Sequence, residues 1–297
     1  MRGIALALAL GCCAGVAPAQ SAGTDSPTRD RMQRQLELEQ RNNFENLLRR
    51  SQEAAPLTEP ERAVQSVVDA ITQGDCPGAV ARLNAGLARA FPEVFGLAGA
   101  MYEEGLCLKP NWDRALAFYQ RAAGAGQPGF TARIAAGYAA PIGGRDLATA
   151  LWWALRAKTA LPEPCARVAP LVDDADKFVA ALNAWPAGQL GACAYAAAVM
   201  ATIQAEAEAI RLGPASGLEG RYKVRLRAAQ GEVDLVDELA AAGGADAARA
   251  RRTIEAKQAV AAHLRQVADR ALKRYDRPGA IASDWRPEAV FEFKGAR

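Results

Sequence analysis

The chain has 297 residues, of which 51% are hydrophobic, 23% charged and 6% aromatic; 36 Lys and Arg face 33 Asp and Glu, for a net charge of +3. A charge this balanced excludes a strongly basic nucleic-acid binder and a polybasic membrane binder. The single His, His263, excludes centres that need two imidazoles, such as His-Glu-x-x-His zinc sites, and is the only imidazole partner for a Ser or Cys nucleophile.

Residues 1–19 read as a signal peptide. Arg2 precedes the apolar run Ile4 to Leu10, and Ala17-Pro18-Ala19 gives the small-x-small pattern cleaved by signal peptidase. The run is shorter than the roughly 20 residues of a membrane span. Cys12 and Cys13 raise lipidation as an alternative. Gly11 suits a lipoprotein signal, but Ala9 stands where Leu is usual. The expectation is cleavage after Ala19 and a soluble periplasmic or secreted protein starting near Gln20. Cys76, Cys107, Cys165 and Cys193 then remain, an even number that favours two disulfides in an oxidising compartment. Of three connectivities, the sequence neighbours Cys76–Cys107 and Cys165–Cys193 are the first choice. Buried free thiols are the alternative, and no Cys-x-x-Cys pair supports zinc.

Residues 20–59 form a polar, partly helical segment and linker. Met32, Leu36, Phe44, Leu47 and Leu48 make a thin helical stripe within 29–55, and oligomerisation through 29–53 is one reading of it. From residue 60 the chain is Ala-rich and poor in strand formers, so helices of 12–15 residues are expected between Gly, Pro, Asp and Asn breaks. A period then emerges. Asp75, Asn111 and Asp146 each open a helix, 36 and 35 residues apart, and Ala79, Ala115 and Ala150 repeat at the same intervals. Phe118 and Trp153 are 35 apart, and Tyr102 and Tyr138 are 36 apart.

Residues 96–127, GLAGAMYEEGLCLKPNWDRALAFYQRAAGAGQ, resemble a Sel-one-like repeat, the helical hairpin related to tetratricopeptide repeats. Tyr102 and Gly105 match the end of its first helix. Asn111, Arg114, Ala115, Phe118, Tyr119, Ala122, Ala123 and Gly126 match its second. Residues 128–160 and 61–93 are weaker copies. The resemblance implies an all-α, right-handed solenoid of antiparallel hairpins over 60–160, of the secreted, cysteine-containing type, with a protein-binding surface.

Residues 161–276 read as a helical continuation. Cys165 to Ala184 and Gln189 to Leu212 are expected helices. Tyr222, Val224 and Leu226 alternate like a strand, but Arg221–Gln230 and Val233–Ala242 are read as another helical hairpin broken at Gly231. Asp246 to Tyr275 is a long helix, and 277–297 is an extended tail.

No catalytic set is visible. Ser-x-x-Lys, Gly-x-Ser-x-Gly and Gly-x-x-x-x-Gly-Lys are absent, and Asp173, Asp174 and Asp176 lack the rest of a calcium loop. Glu103-Glu104 reads as a solvated surface pair, and His263 as an ordinary surface or core histidine. Within Phe118-Tyr119 and Trp152-Trp153, one member of each pair must turn outward. The candidate partner-binding groove is therefore assigned to Tyr119 and Trp152, with Arg114 and Arg121 as clamps for a partner carboxylate. No metal or cofactor is expected. The functional expectation is an exported, non-catalytic scaffold for an unknown protein or peptide of the bacterial envelope, with no nucleic acid and no transmembrane span. The alternative is a protein that binds or hydrolyses peptidoglycan or β-lactams, a link the secreted members of the family carry.

Overall fold

The computed structural model describes residues 57–127, 129–140, 144–212, 220–237, 247–279 and 281–293. Residues 1–19, read above as a signal peptide, with Cys12 and Cys13, and the expected 29–55 stripe lie outside them. The described residues form ten α-helices, a 3-10 turn and a three-stranded sheet.

Three helical hairpins come first: α1 (Glu59–Thr72) with α2 (Cys76–Ala88), α3 (Pro92–Glu104) with α4 (Trp112–Gly124), and α5 (Gly129–Ala139) with α6 (Leu147–Arg156). The periodic residues do what their chemistry predicts. Asp75, Asn111 and Asp146 cap α2, α4 and α6, accepting hydrogen bonds from the backbone N–H of Gly78, Arg114 and Thr149 at 2.9, 2.9 and 3.0 Å. Ala79, Ala115 and Ala150 are wholly buried, because a larger side chain there would hold the helices apart. α1 starts on a capping box, with the Thr58 N–H donating to Glu61 at 2.7 Å.

Three aromatic rings seat on glycines of neighbouring helices. Phe130 lies on Gly96, Tyr119 on Gly99 and Trp112 on Gly137. A Cβ at those glycines would stand 2.1, 2.4 and 1.8 Å from the ring, so the missing side chain is what admits the aromatic.

The region expected as one helix from Cys165 is broken into α7 (Glu163–Ala166), a 3-10 turn (Ala169–Leu171) and α8 (Ala175–Asn183). Pro170 supplies no N–H to continue the first, and Asp174 caps the last by accepting from the Lys177 N–H. α9 (Gln189–Leu212) is the central helix. Its Ala-rich run from Ala192 to Ala201 is buried against α5, α6 and α10 (Ala247–Arg274). Residues 189–209 are long and apolar enough to cross a membrane, but most of them are buried inside the fold. Two disulfides are present, Cys76–Cys107 and Cys165–Cys193, with Cα atoms 4.9 and 5.5 Å apart. The first ties the start of α2 to the α3–α4 loop. The second ties α7 to α9.

The all-α expectation is corrected by a sheet. Residues 221–230 and 233–242 do not form a helical hairpin. β1 (Gly220–Arg227) and β2 (Glu232–Asp237) make a β-hairpin, and the tail adds β3 (Glu288–Phe293), antiparallel in the order β2-β1-β3. Strict alternation won over helical spacing. Tyr222, Val224 and Leu226 face the core, where α10 presents Val260, Leu264 and Val267. The intervening cations face outward and pair across strands. Lys223 and Arg225 meet Glu288 at 3.0 and 2.7 Å, and Arg227 meets Glu232 and Asp234 at 2.8 and 3.0 Å.

Candidate partner-binding surface

Phe95 and Tyr102 lie seven residues apart on α3, so they share a stripe, as do Arg114, Phe118 and Arg121 on the antiparallel α4. The two stripes meet. The Tyr102 and Phe118 rings stack at 5.8 Å. The Arg114 guanidinium sits 5.5 Å from the Tyr102 ring centre and donates to its hydroxyl at 3.1 Å. The Arg121 guanidinium lies 4.3 Å from the Phe95 ring centre. Both arginines are exposed, and neither has a carboxylate partner among the described residues. Arg114 and Arg121 thus stand on one outward face of α4.

Tyr119 does not. It is 0% exposed, and Phe118 is the member of the pair that reaches half-way to solvent. The reason is steric and polar. Gly99 provides the recess for the ring, and a buried carboxylate accepts a hydrogen bond from the hydroxyl. Trp152 is half-buried. It packs edge-on against Trp153 at 4.9 Å, donates its Nε1–H to the Val172 carbonyl at 2.8 Å and is covered by Arg156. Its indole is engaged within the fold, one hairpin further on.

Behind the stripe lies a charged network that the sequence reading missed. Glu103 is not a solvated surface residue; it is 8% exposed. Its Oε2 accepts from the Tyr119 hydroxyl at 2.7 Å and from Arg133 Nε at 3.2 Å, and its Oε1 accepts from Arg274 at 2.8 Å. Arg133 Nε also donates to the Tyr119 oxygen at 3.0 Å. Glu104 is 3.9 Å from both arginines. Burial works to raise the pKa of Glu103, but the charges of Arg133 and Arg274 and the hydrogen bonds of Tyr119 and Arg274 outweigh it, so the carboxyl is held below its ordinary value. Burial first, and then the Glu103 charge, push the Tyr119 phenol well above its usual range despite Arg133, so it stays a donor. Glu103, Arg274, Trp112, Gly137 and Ala140 line a cavity of about 10 Å3 beside the network, roughly the room of one water.

His263 on α10 is 2.8 Å from Glu206 on α9. Burial again opposes ionisation of Glu206, and the hydrogen bond and charge of His263 with the charges of Arg133 and Arg270 prevail to hold it ionised. This pair extends the polar seam between α5, α9 and α10. The sequence signal for the seam was Glu103 following a stripe aromatic, which places it about 100° round the helix from Tyr102; that this direction is inward is set by Tyr119, Arg133 and Arg274 on other helices.

Comparison with protein-family models, with curated proteins and with solved structures finds no match.

Proposed function

We propose that the protein is an exported, non-catalytic scaffold built on Sel-one-like repeats, and that it binds a protein or peptide of the bacterial envelope. In this reading the three hairpins stack as a helical-repeat solenoid, and the C-terminal helices and sheet close its far end. The observation that carries the reading is the recurrence of one hairpin plan: capping Asp75, Asn111 and Asp146 and buried Ala79, Ala115 and Ala150 at equivalent places. Stacked hairpins of this kind present extended side-chain surfaces to partners. The α3–α4 stripe supplies such a surface, because exposed Arg114 and Arg121 lie on half-buried Tyr102 and buried Phe95 with no carboxylate partner among the described residues. Two disulfides suit an oxidising, exported location.

The test has two parts. A photo-crosslinker at exposed Ala117, between the two arginines, is compared with one at exposed Val179 on α8. A single defined species captured in the periplasm from position 117 and not from 179 supports the scaffold. Equal, diffuse capture at both sites removes it. Intact mass of the exported protein settles its start. A mass beginning at Gln20 agrees with the signal, and an acylated Cys12 or Cys13 at the N-terminus overturns the soluble form.

A further inference from the structure

We propose that Arg114 and Arg121 form a two-point clamp for an acidic peptide segment whose carboxylates lie about 10 Å apart. The inference rests on the scaffold reading and names the partner chemistry for its surface. Seven residues of helix separate the two arginines by about 10.5 Å along α4. That is too far for one phosphate or one carboxylate to bridge, so the ligand carries two separate anionic groups on one chain.

Each guanidinium is already positioned. Arg114 lies against Tyr102 and is tied to its hydroxyl, and Arg121 lies over Phe95. A guanidinium held on an aromatic ring keeps its N–H edge directed outward and loses little further freedom when a carboxylate docks on it in the bidentate manner. Several other cations of the hairpins are paired with carboxylates, and Arg62 and Arg82 donate to the backbone carbonyls of Leu57 and Ser66. Arg89 pairs with Glu59, Arg133 with Glu103, Arg145 with Asp276 and Arg156 with Asp173. Arg114 and Arg121 stand out because they combine exposure, aromatic backing and the lack of a carboxylate among the described residues. Exposed Arg265, Arg270 and Lys273 on α10 have no such ring stacked beneath them among the described residues.

The spacing selects the ligand conformation. In an extended polyproline-II chain, residues three apart return to one face at about 9 Å. A Glu-x-x-Glu segment therefore places one carboxylate at each guanidinium. The stacked Tyr102 and Phe118 rings lie between the two points and offer an apolar rest for the intervening side chain.

The experiment titrates the full mature protein with a capped peptide of sequence Gly-Glu-Leu-Ala-Glu-Gly by calorimetry at low salt. Three controls accompany it: the same peptide with both Glu replaced by Gln, an isomer with the Glu residues adjacent, and a phosphatidylglycerol vesicle. Wild type binds the Glu-x-x-Glu peptide, at least tenfold more weakly after Arg114→Gln with Arg121→Gln, and at least threefold more weakly when the Glu residues are adjacent. Arg265→Gln with Lys273→Gln leaves binding within twofold. The thermal midpoint of each variant shows that it is folded, and both arginines are exposed enough to make that the expected result. The proposal is overturned by no binding to wild type at millimolar peptide, by equal binding to the Arg114/Arg121 variant, by loss on altering α10 instead, or by vesicle binding that the same two arginines control. If the crosslinker at Ala117 still captures its species when both arginines are Gln, the scaffold stands and the acidic clamp fails.

Discussion

Glu103→Gln is the substitution that most directly tests the charged network. Three donors converge on the carboxylate: the Tyr119 hydroxyl, Arg133 Nε and an Arg274 amino group. Glutamine keeps the size but offers one acceptor oxygen. Its amide nitrogen must then face either Arg274 or the Tyr119–Arg133 pair, donor against donor. Removing one partner of a buried ion pair costs about 3–5 kcal/mol. Arg133 and Arg274 keep 28% and 30% exposure and retain Glu104 at 3.9 Å, which lowers the figure. We expect about 2–3 kcal/mol at pH 7 and a fall in thermal midpoint of roughly 5–10 °C. The pH dependence fixes the mechanism. Because the folded pKa of Glu103 is lowered, its contribution is complete above the unfolded carboxylate value of about 4.3 and is lost as pH falls through the folded pKa. The variant lacks this contribution at every pH. Urea unfolding of both proteins at pH 7 and at pH 3.5 should therefore show a gap that narrows in acid. A gap below about 0.5 kcal/mol at pH 7, or one that is unchanged at pH 3.5, refutes the reasoning.

Gly137→Ala drives a methyl to 1.8 Å from the Trp112 ring and should destabilise by about 1–3 kcal/mol, read as a lower urea midpoint at unchanged m-value. Replacing Cys76 and Cys107 by Ser opens a loop spanning 31 residues and should cost about 3–4 kcal/mol in the same assay. Under graded dithiol, mass-mapped alkylation should find half-exposed Cys76–Cys107 reduced before wholly buried Cys165–Cys193. Asn111→Ala removes the cap on the Arg114 N–H and should cost about 1 kcal/mol, measurable by thermal unfolding.

The hairpins were legible because their signals are local. A cap is set by one side chain and the next three residues, so Asp75, Asn111 and Asp146 announced their helices directly. The disulfide pairs were legible because each joins sequence neighbours among the cysteines. The sheet was misread because a segment with Tyr222, Val224 and Leu226 satisfies both periods over so short a stretch. What decides between them is β3, more than 60 residues away, which pairs with the other edge of β1. Tyr119 was misassigned for a related reason. Spacing shows that Phe118 and Tyr119 face different ways but not which way is in. That choice depends on the recess at Gly99 and the acceptor at Glu103, both on another helix.

The contacts that bind α10 to the hairpins set an order on folding. Glu103 and Arg274 are 171 residues apart, and the Tyr275 hydroxyl that donates to the Ala136 carbonyl is 139 residues from it. A chain made from its N-terminus can form each hairpin as it appears, since those contacts are near in sequence. The carboxylate of Glu103 cannot receive its last donor until almost the whole polypeptide exists. Until then Glu103 Oε1 lacks its Arg274 donor. A chain cut before residue 274 lacks the third donor to Glu103, so a truncation at the far end of the sequence is felt on α3.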